Sequence, residues 1–447
     1  MKTKTLILLT LFILASSTVA QSGRVKGELP SEKQSAKMLF EEVNSYLDKR
    51  YQELEQQKVP YDPKLEESIK QQRRELAAKY ASLLQGRPSL AKEDLYYLGM
   101  LFHLSENADG ALSSMRKFLD GSSEGEQAQL ARAVIVLYAV DKNLITEAEE
   151  VAAAYGKNQP QDLRERYGIE HLLTISFHKA KNFGRMAFHA EQMFATAQAF
   201  TSRKEGDVFK RDEMLLKSAT LLAEAFRLQN QKAKALETFH ELRRIAVGLP
   251  SGNLYKMALM RLAVTDPQAD FGQILEDAPN PIASAPPEIH GSEWIDIEPT
   301  KLESLRGRVV LLDFWAPWCG PCRYTFPKLQ KWHQSYKEKG LVILGVTKYY
   351  GHADGKPLNQ DEELSYLREF KKRNRLPYGF VVSDKTDNDF NYGVFSIPMS
   401  FLIDRKGKVR FIAAGAGEGE IERLGIMLKR LLDEPAAPSQ QVSETAK

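Results

Sequence analysis

The chain contains two cysteines, Cys319 and Cys322, separated by a glycine and a proline. Two cysteines exclude both a framework of several structural disulfides and a zinc site built from four cysteines. A pair at this spacing can close into a disulfide and reopen, so the chemistry it suggests is thiol–disulfide exchange. In such a cycle Cys319 attacks a substrate disulfide, a mixed disulfide forms, and Cys322 resolves it.

Two other uses of the pair are a structural disulfide and half of a metal site. A loop this small stabilises a fold by only about 2 kcal/mol on the chain-entropy model. A metal would need further ligands, yet the eight histidines are dispersed along the chain. His240 begins a segment that lacks the second histidine of a His-Glu-x-x-His motif. The pattern therefore favours redox chemistry, with no metal and no cofactor.

The pair lies between a predicted strand and a predicted helix. Val309–Trp315 is an apolar run typical of a buried strand, and helical periodicity covers 322–338. At the start of a helix, unpaired N–H groups and the helix dipole stabilise the Cys319 thiolate. Further strands are predicted at 341–346 and 400–403, and further helices at 361–375 and 420–432. Strands alternating with helices indicate an α/β domain whose sheet has covered faces.

The preceding region, residues 30–278, reads almost entirely as helices joined by short polar turns. Two stretches have the spacing of a tetratricopeptide repeat, with small residues at Gly99, Ala111, Ala223 and Ala235 that let paired helices approach. The region resembles a degenerate tetratricopeptide-like array, and a plain helical bundle is the alternative. The predicted fold class is multidomain, with an all-α helical-repeat N-terminal region and an α/β C-terminal domain.

Composition marks the limits of these regions. Residues 1–20 have a basic start, a short apolar run and small residues before a cleavage point, which is typical of a signal peptide. The alternative is a membrane anchor, but the apolar run is shorter than the roughly 20 residues that span a bilayer. We therefore expect cleavage and no stable membrane insertion afterwards. A proline-rich linker is predicted at 279–287, the α/β domain at 288–433 and a disordered tail at 434–447.

Overall composition is that of a globular protein, with 43% hydrophobic and 27% charged residues. Sixty-two Lys and Arg residues against 59 Asp and Glu residues leave a net charge of +3. This balance argues against a protein that coats nucleic acid or an anionic membrane. The signal peptide predicts a periplasmic or secreted protein, where disulfides can form. Because the chain keeps only the close pair of cysteines, we expect that pair to serve chemistry.

Two segments carry a resemblance to a known family. Leu312-Asp-Phe-Trp-Ala-Pro-Trp-Cys-Gly-Pro-Cys-Arg-Tyr-Thr-Phe-Pro327 resembles thioredoxin. Tyr392-Gly-Val-Phe-Ser-Ile-Pro-Met-Ser-Phe-Leu-Ile-Asp-Arg-Lys-Gly407 resembles the exported TlpA/ResA branch of the thioredoxin superfamily. The resemblance covers about residues 279–432, a third of the chain. It implies a thioredoxin-like fold for the C-terminal domain, with the redox pair at one edge of the sheet.

The resemblance implies three catalytic roles. Cys319 matches the nucleophile and Cys322 matches the resolving thiol. Asp313 matches a buried acid beneath the pair that accepts the proton of Cys322. An exposed aspartate at a strand end is the alternative, but Asp313 interrupts an otherwise apolar strand, where a charged group usually has a function.

The resemblance also implies substrate-binding residues. Pro398 matches the family's cis-proline facing the disulfide, and the backbone just before it, at Ile397, pairs with an extended substrate. Trp318, next to the cysteine pair, is assigned to the same substrate surface. The chain departs from the family pattern at Ser396, where glycine is usual, and at Met399, where threonine is usual. These departures affect the identity of the substrate more than the fold.

These observations predict an exported thiol–disulfide oxidoreductase that reduces protein disulfides, since its Gly-Pro dipeptide resembles that of the reducing members of the superfamily. With no second thiol pair in the chain, a reduced thiol donor must act in trans, and the resemblance suggests a membrane thiol transporter. The helical region is expected to recruit partner or substrate proteins. One alternative is an interaction scaffold with a thioredoxin-fold docking domain. The other is a peroxiredoxin-like antioxidant, a family that shares the fold but lacks the Trp-Cys-Gly-Pro-Cys turn.

Overall fold

The computed structural model describes residues 34–120, 124–200, 207–268 and 285–435. The predicted signal peptide at 1–20 lies outside these residues, as do positions 279–284 of the predicted linker and 436–447 of the predicted tail. Among the helices described, none combines the length and apolar character needed to cross a bilayer. The chain divides into two compact units, Met1–Thr196 and Ala197–Lys447.

The described residues of the first unit form helices that pack mainly against their neighbours in the sequence. Side chains of the first, third, fourth, fifth and sixth helices share one hydrophobic core. The bounds are α1 Ala36–Asn44, α2 Tyr46–Gln56, α3 Pro63–Gln85, α4 Lys92–Leu104, α5 Ala108–Leu119, α6 Glu126–Asp141, α7 Ile145–Lys157, α8 Leu163–Lys179 and α9 Phe183–Ala199. The last of these runs three residues into the second unit.

One turn geometry recurs between paired helices. Glu106, Asn143 and Lys181 are left-handed, with φ of 61°, 60° and 57°. In each case the next residue donates its N–H to the carbonyl five positions earlier, at 2.8, 2.7 and 2.9 Å, which is the hydrogen bond of a Schellman cap. Asn230 in the second unit has the same geometry, with φ of 59°. The helix–turn–helix pairs are thus present, whereas their membership of the tetratricopeptide family stays a prediction.

Small residues do lie where paired helices touch. A Cβ atom added at Gly99 of α4 would lie 2.9 Å from the side chain of Met115 in α5, so a larger residue there would separate the two helices. Ala111, Ala223 and Ala235 are all buried. The predicted close approach of α4 and α5 is therefore confirmed.

The second unit begins with helices and continues as a mixed sheet with further helices. The helices are α10 Asp207–Leu228, α11 Lys232–Gly248, α12 Gly252–Thr265, α13 Gly320–Tyr336, α14 Gln360–Arg373, α15 Asp387–Asn391 and α16 Glu418–Asp433. The strands are β1 Glu293–Ile295, β2 Val309–Phe314, β3 Leu341–Lys348, β4 His352–Ala353, β5 Lys356–Pro357, β6 Gly379–Ser383, β7 Met399–Ile403 and β8 Val409–Ala414. The strands and helices predicted for this domain are confirmed to within two residues at each end.

The main sheet has the strand order β1-β6-β3-β2-β7-β8. β2, β3 and β6 are mutually parallel, whereas β7 and β8 form an antiparallel side. Side chains from one face of the sheet pack with α13, α14 and α16 in one hydrophobic core. This arrangement is the predicted thioredoxin-like domain. Together with the helical first unit, it confirms the multidomain fold class.

Three helices that the sequence assigned to the array share a compact unit with this sheet. α11 and α12 contact β8, and α10 contacts α15. Tyr255 of α12 packs edge-on against Phe411 of β8, with ring centroids 6.4 Å apart. β8 is an outer strand of the sheet, and outer strands that are left uncovered favour pairing with another chain. The domain limits inferred from composition stay a prediction, and the contacts group α10–α12 with the sheet.

Candidate active site

The cysteine pair lies where strand β2 gives way to helix α13. Cys319 is the N-cap of α13 and its sulfur accepts a hydrogen bond from the backbone N–H of Cys322 at 3.1 Å. The two cysteines form a disulfide, with their Cα atoms 5.3 Å apart. Cys319 is 4% exposed and Cys322 is fully buried. An incoming sulfur therefore reaches Cys319 first, which suits Cys319 as the nucleophile and Cys322 as the resolving thiol.

The rim beside the pair is aromatic. Trp318 is 54% exposed and meets Tyr350 edge-on, with ring centroids 5.4 Å apart. The buried Glu363 fixes the loop beneath, because its carboxylate accepts the N–H groups of Tyr350 and Gly351 at 2.8 and 2.9 Å. The exposed Trp318 ring packs against a residue of this fixed loop, and a protein substrate can contact such a ring. Trp318 thus stays a predicted substrate-binding residue on an ordered rim.

Asp313 lies inside β2 and is 1% exposed. Its register partners are Gly345 in β3 and Ser400 in β7. The Ser400 hydroxyl donates to Asp313 Oδ1 at 2.9 Å, while Oδ2 has no hydrogen-bond partner among the described residues. Burial raises the pKa of Asp313 to about 7, against a smaller lowering effect of the Ser400 hydroxyl. The alternative of an exposed aspartate is therefore wrong.

Strand alternation places Asp313 on the face that carries the cysteines. Side chains two residues apart in a strand point to the same side, so Asp313 shares a face with Leu311 and Trp315. Both of these neighbours belong to the core that includes Cys319 and Cys322. A carboxyl group that changes protonation near pH 7 on this face can accept a proton from Cys322. That role stays a prediction.

The proline loop lies beside the same end of β2. Met399, the first residue of β7, pairs with Phe314, the last residue of β2, so Pro398 is at the edge where the cysteine turn begins. The Ile397–Pro398 peptide bond is cis. Among the described residues, the backbone N–H and C=O of Ile397 take part in no hydrogen bond. Those groups are available to an extended chain.

Sequence reasoning missed two residues next to this site. Ser400 was assigned only to a strand, although a polar residue within an apolar run is the kind of signal that singled out Asp313. Lys256 of α12 donates its ammonium group to the Ser396 hydroxyl at 3.0 Å. The second contact joins residues 140 positions apart, and nothing in the local pattern indicates it. Among the described residues, no cluster of histidine, cysteine or carboxylate side chains could hold a metal ion.

Comparisons with known proteins find a family match and several relatives. Residues 283–412 match the AhpC/TSA family. The thiol-disulfide oxidoreductase ResA of Bacillus thuringiensis is 33% identical over 138 residues, which are 30% of this chain and 72% of that protein. Protein DipZ of Mycobacterium bovis is 30% identical over 165 residues, or 36% of this chain and 22% of that protein. A putative thiol:disulfide interchange protein DsbE from Chlorobium tepidum, known from a crystal structure, is 30% identical to this chain. The match covers 33% of this chain and 95% of that chain, with a TM-score of 0.28.

The mixed sheet and the helix-borne Cys-Gly-Pro-Cys pair define a thioredoxin-fold protein whose two cysteines form a disulfide. The chain belongs to the family of thiol-disulfide oxidoreductases that includes ResA, since it is 33% identical to ResA over 72% of that protein. The residues that match the AhpC/TSA family, 283–412, lie in the C-terminal domain and include the cysteine pair.

Proposed function

We propose that the protein is exported and reduces disulfides in other proteins through Cys319 and Cys322. The observation that carries this proposal is the position of Cys319, which caps helix α13 beside the unpaired backbone of Ile397. A helix N-terminus favours the thiolate. The free backbone groups offer a place for an extended polypeptide that presents its disulfide to Cys319.

The proposed cycle consists of two thiol–disulfide exchange steps. The Cys319 thiolate attacks one sulfur of the substrate disulfide, forming a mixed disulfide and releasing the other substrate sulfur as a thiolate. Cys322 then passes its proton to the Asp313 carboxylate and attacks the Cys319 sulfur, which releases the second substrate thiolate. The substrate has gained two electrons and the protein is left with the Cys319–Cys322 disulfide. A reduced thiol pair on another molecule restores the dithiol form.

The donor must act in trans because the chain holds only these two cysteines. A membrane protein that carries thiols across the bilayer would suit an exported enzyme of this kind. We further propose that the helical region recruits the partner or substrate protein. Helix pairs joined by the repeated turn at Glu106, Asn143 and Lys181 support that role, since stacked helix pairs commonly bind extended chains or proteins.

Two measurements test the reductase assignment. The full chain should accelerate insulin reduction by dithiothreitol, and Cys319→Ser should lower the rate to that of dithiothreitol alone. A wild-type rate no higher than the reductant alone would favour the interaction scaffold. The reduction potential of the pair should lie between roughly −230 and −290 mV. A value above about −160 mV would contradict reduction as the direction of catalysis.

Peroxide reduction is a second candidate, favoured by the match of residues 283–412 to the AhpC/TSA family. In that reaction the Cys319 thiolate would attack hydrogen peroxide, breaking its O–O bond to form a sulfenic acid and release hydroxide. The Cys322 thiol would then displace the sulfenic oxygen as water while the disulfide forms. Hydrogen peroxide consumption with dithiothreitol tests it. A rate equal to that of Cys319→Ser would exclude this activity, whereas a faster wild-type rate would establish it.

Recruitment by the helices is tested by trapping. Cys322→Ser blocks resolution, so substrates stay attached to Cys319. We expect the full chain to trap specific proteins in extracts of the native exported compartment. A fragment of residues 207–447, which retains the helices that contact the sheet, should lose those adducts. The same adducts from both proteins would show that α1–α9 do not choose the substrate.

A further inference from the structure

A small apolar cavity lies beside the proline loop and has no role in the cycle above. Its volume is about 140 Å³, and it is formed by α10, α12 and the segment that leads to Pro398. The polar side chains of Asp212, Glu213 and Asn253 also line it. The apolar side chains that line it are Val208, Phe209, Leu216, Leu254, Phe390 and Phe395.

Hydrogen bonds tie the helices to the loop that forms the opposite wall. At the N-terminus of α12, the N–H groups of Gly252 and Asn253 donate to the carbonyls of Tyr392 and Gly393 at 2.9 and 2.7 Å. These amides have no partner within their own helix, so the loop satisfies them. Lys256 reaches Ser396 one helical turn further on. The cavity is therefore bounded by a fixed framework that continues to the backbone of Ile397.

Two aromatic rings stand exposed at the cavity. Phe209 of α10 is 53% exposed and Phe395 is 56% exposed. They meet edge-on, with ring centroids 6.0 Å apart. Exposed apolar groups gathered around a concavity mark a binding surface rather than scattered surface residues. A volume of this size accommodates one apolar side chain.

The position of the cavity selects its occupant. Phe395 precedes Ile397, the residue with unpaired backbone groups, by two positions in the chain. A polypeptide paired with Ile397 therefore passes the cavity within a few residues of the cysteine that meets Cys319. Because Phe395 meets Phe209 and lies this near to Ile397 in the chain, we expect the occupant to belong to such a polypeptide and not to be a free small molecule.

Resting on the proposed function, we propose that this cavity is a specificity subsite for an apolar side chain of the protein substrate, two to four residues from its disulfide cysteine. Helices α10 and α12 thereby take part in substrate selection at the redox site. The preferred substrate is an extended segment with phenylalanine, leucine or a similar residue at that distance.

The test uses the full chain and two synthetic ten-residue peptides, each with one cysteine in a mixed disulfide with glutathione. In the first peptide, the positions two to four residues before and after the cysteine are phenylalanine or leucine. In the second peptide, the same positions are serine. We expect kcat/KM for the apolar peptide to be about 10- to 100-fold higher, the range that a hydrophobic pocket can discriminate. In Phe209→Ala and Phe395→Ala the ratio should fall towards one.

The control is Ile426→Ala, which removes an equally exposed apolar side chain from α16 and should keep the wild-type ratio. Equal rates for the two peptides, with both reduced, would overturn the subsite and leave the reductase proposal standing. Reduction of neither peptide, and of no insulin, would instead overturn the reductase proposal. Equal rates together with a monomer produced by Phe395→Ala from a wild-type dimer would assign the cavity to a second copy of the chain.

Discussion

Asp313 is a carboxyl group held inside an apolar strand, with a pKa raised to about 7 by burial. Such a group exists in both protonation states at neutral pH. A residue that takes a proton in one step and returns it in another needs both of these states. Its ionised form is the one that can accept the Cys322 proton. The rate of mixed-disulfide resolution should therefore rise with pH through about 7.

We expect Asp313→Asn to slow resolution by about 100-fold and to remove the rise near pH 7. Attack by Cys319 should remain, so mixed disulfides should accumulate. The measurement is single-turnover release of a trapped fluorescent peptide between pH 5.5 and 8.5. Unchanged release across that range would leave Asp313 without a part in the cycle.

Ser400→Ala provides the matched variant. The Ser400 hydroxyl donates to the carboxylate and lowers the pKa of Asp313. Its removal should raise that pKa and move the rise in the release rate to higher pH. If Ser400 served only in strand packing, Ser400→Ala would change the release rate by the same factor at every pH. That result would contradict the expected shift of the pH dependence.

The raised pKa of Asp313 also affects stability. The unfolded chain has the ordinary carboxyl pKa of 3.8, whereas the folded, disulfide-bonded protein has about 7. Between these values the folded state binds the extra proton, so stability from this group is present below pH 3.8 and is lost as pH rises to about 7. The loss is of the order of 4 kcal/mol.

Asp313→Asn should therefore be more stable than wild type at pH 8, with an advantage that shrinks steadily towards pH 4. The asparagine amide does not ionise, so its burial changes the free energy of unfolding by an amount that does not depend on pH. Urea unfolding of the oxidised proteins at pH 4.5, 6 and 8 measures the difference. A difference that stays constant across these values would show that Asp313 is not perturbed in the folded state.

The residues of the site could be predicted from the sequence only in part. The charge of Asp313 within an apolar strand is a local signal, and the structure confirms the burial it suggests. The partner hydroxyl of Ser400 is 87 positions away. Their pairing depends on the register of β2 against β7, which a single strand pattern does not specify.

At the scale of elements, the N-terminus of α12 joins a helix to the active-site domain. The buried Ser251 is its N-cap and accepts the N–H of Leu254 at 3.3 Å. The same hydroxyl donates to Asp212 Oδ2 in α10 at 2.5 Å. This one side chain therefore links two helices as well as capping one of them.

Ser251→Ala should lower the free energy of unfolding by about 2.5–4 kcal/mol, since a cap is worth about 1 kcal/mol and a hydrogen bond to a charged group about 1.5–3 kcal/mol. The control is Asn359→Ala, which removes the exposed cap of α14 in the same unit and should cost about 1 kcal/mol. Urea unfolding of the two variants gives the comparison. Equal losses would show that the bond to Asp212 adds nothing.

The periodicity of apolar residues in the sequence predicted several helices and strands. The apolar run 309–315 and the helical spacing after Cys322 predicted β2 and α13, because burial imposes those periods directly. The strands β1, β4, β5, β6 and β8, which have two to six residues each, were not predicted. Runs this short offer few positions for a pattern, and their stability depends on packing against neighbouring strands.

At the scale of the whole molecule, composition predicted a boundary near the prolines after residue 278, whereas contacts group residues 197–447. A proline-rich stretch shows where a helix cannot continue. It does not show which earlier helices fold back onto the following domain. That depends on side chains such as Tyr255 and Phe411, which meet only in the folded protein.

This grouping predicts how fragments behave. A fragment of residues 207–447 should unfold cooperatively, because it keeps α11 and α12 on the outer strand β8. A fragment of residues 285–447 exposes that strand, together with Met399, whose side chain lies against Gly252. Exposed strand edges and apolar side chains favour association.

We therefore expect the shorter fragment to have a lower urea midpoint and to elute from gel filtration as oligomers, with the longer fragment monomeric. The cysteine pair and its proline loop are present in both, so insulin reduction shows whether each has folded around the site. Equal midpoints and equal elution of the two fragments as monomers would show that α10–α12 contribute nothing to the stability of the redox domain. In that case the boundary near residue 279 would be the true limit of the folding unit.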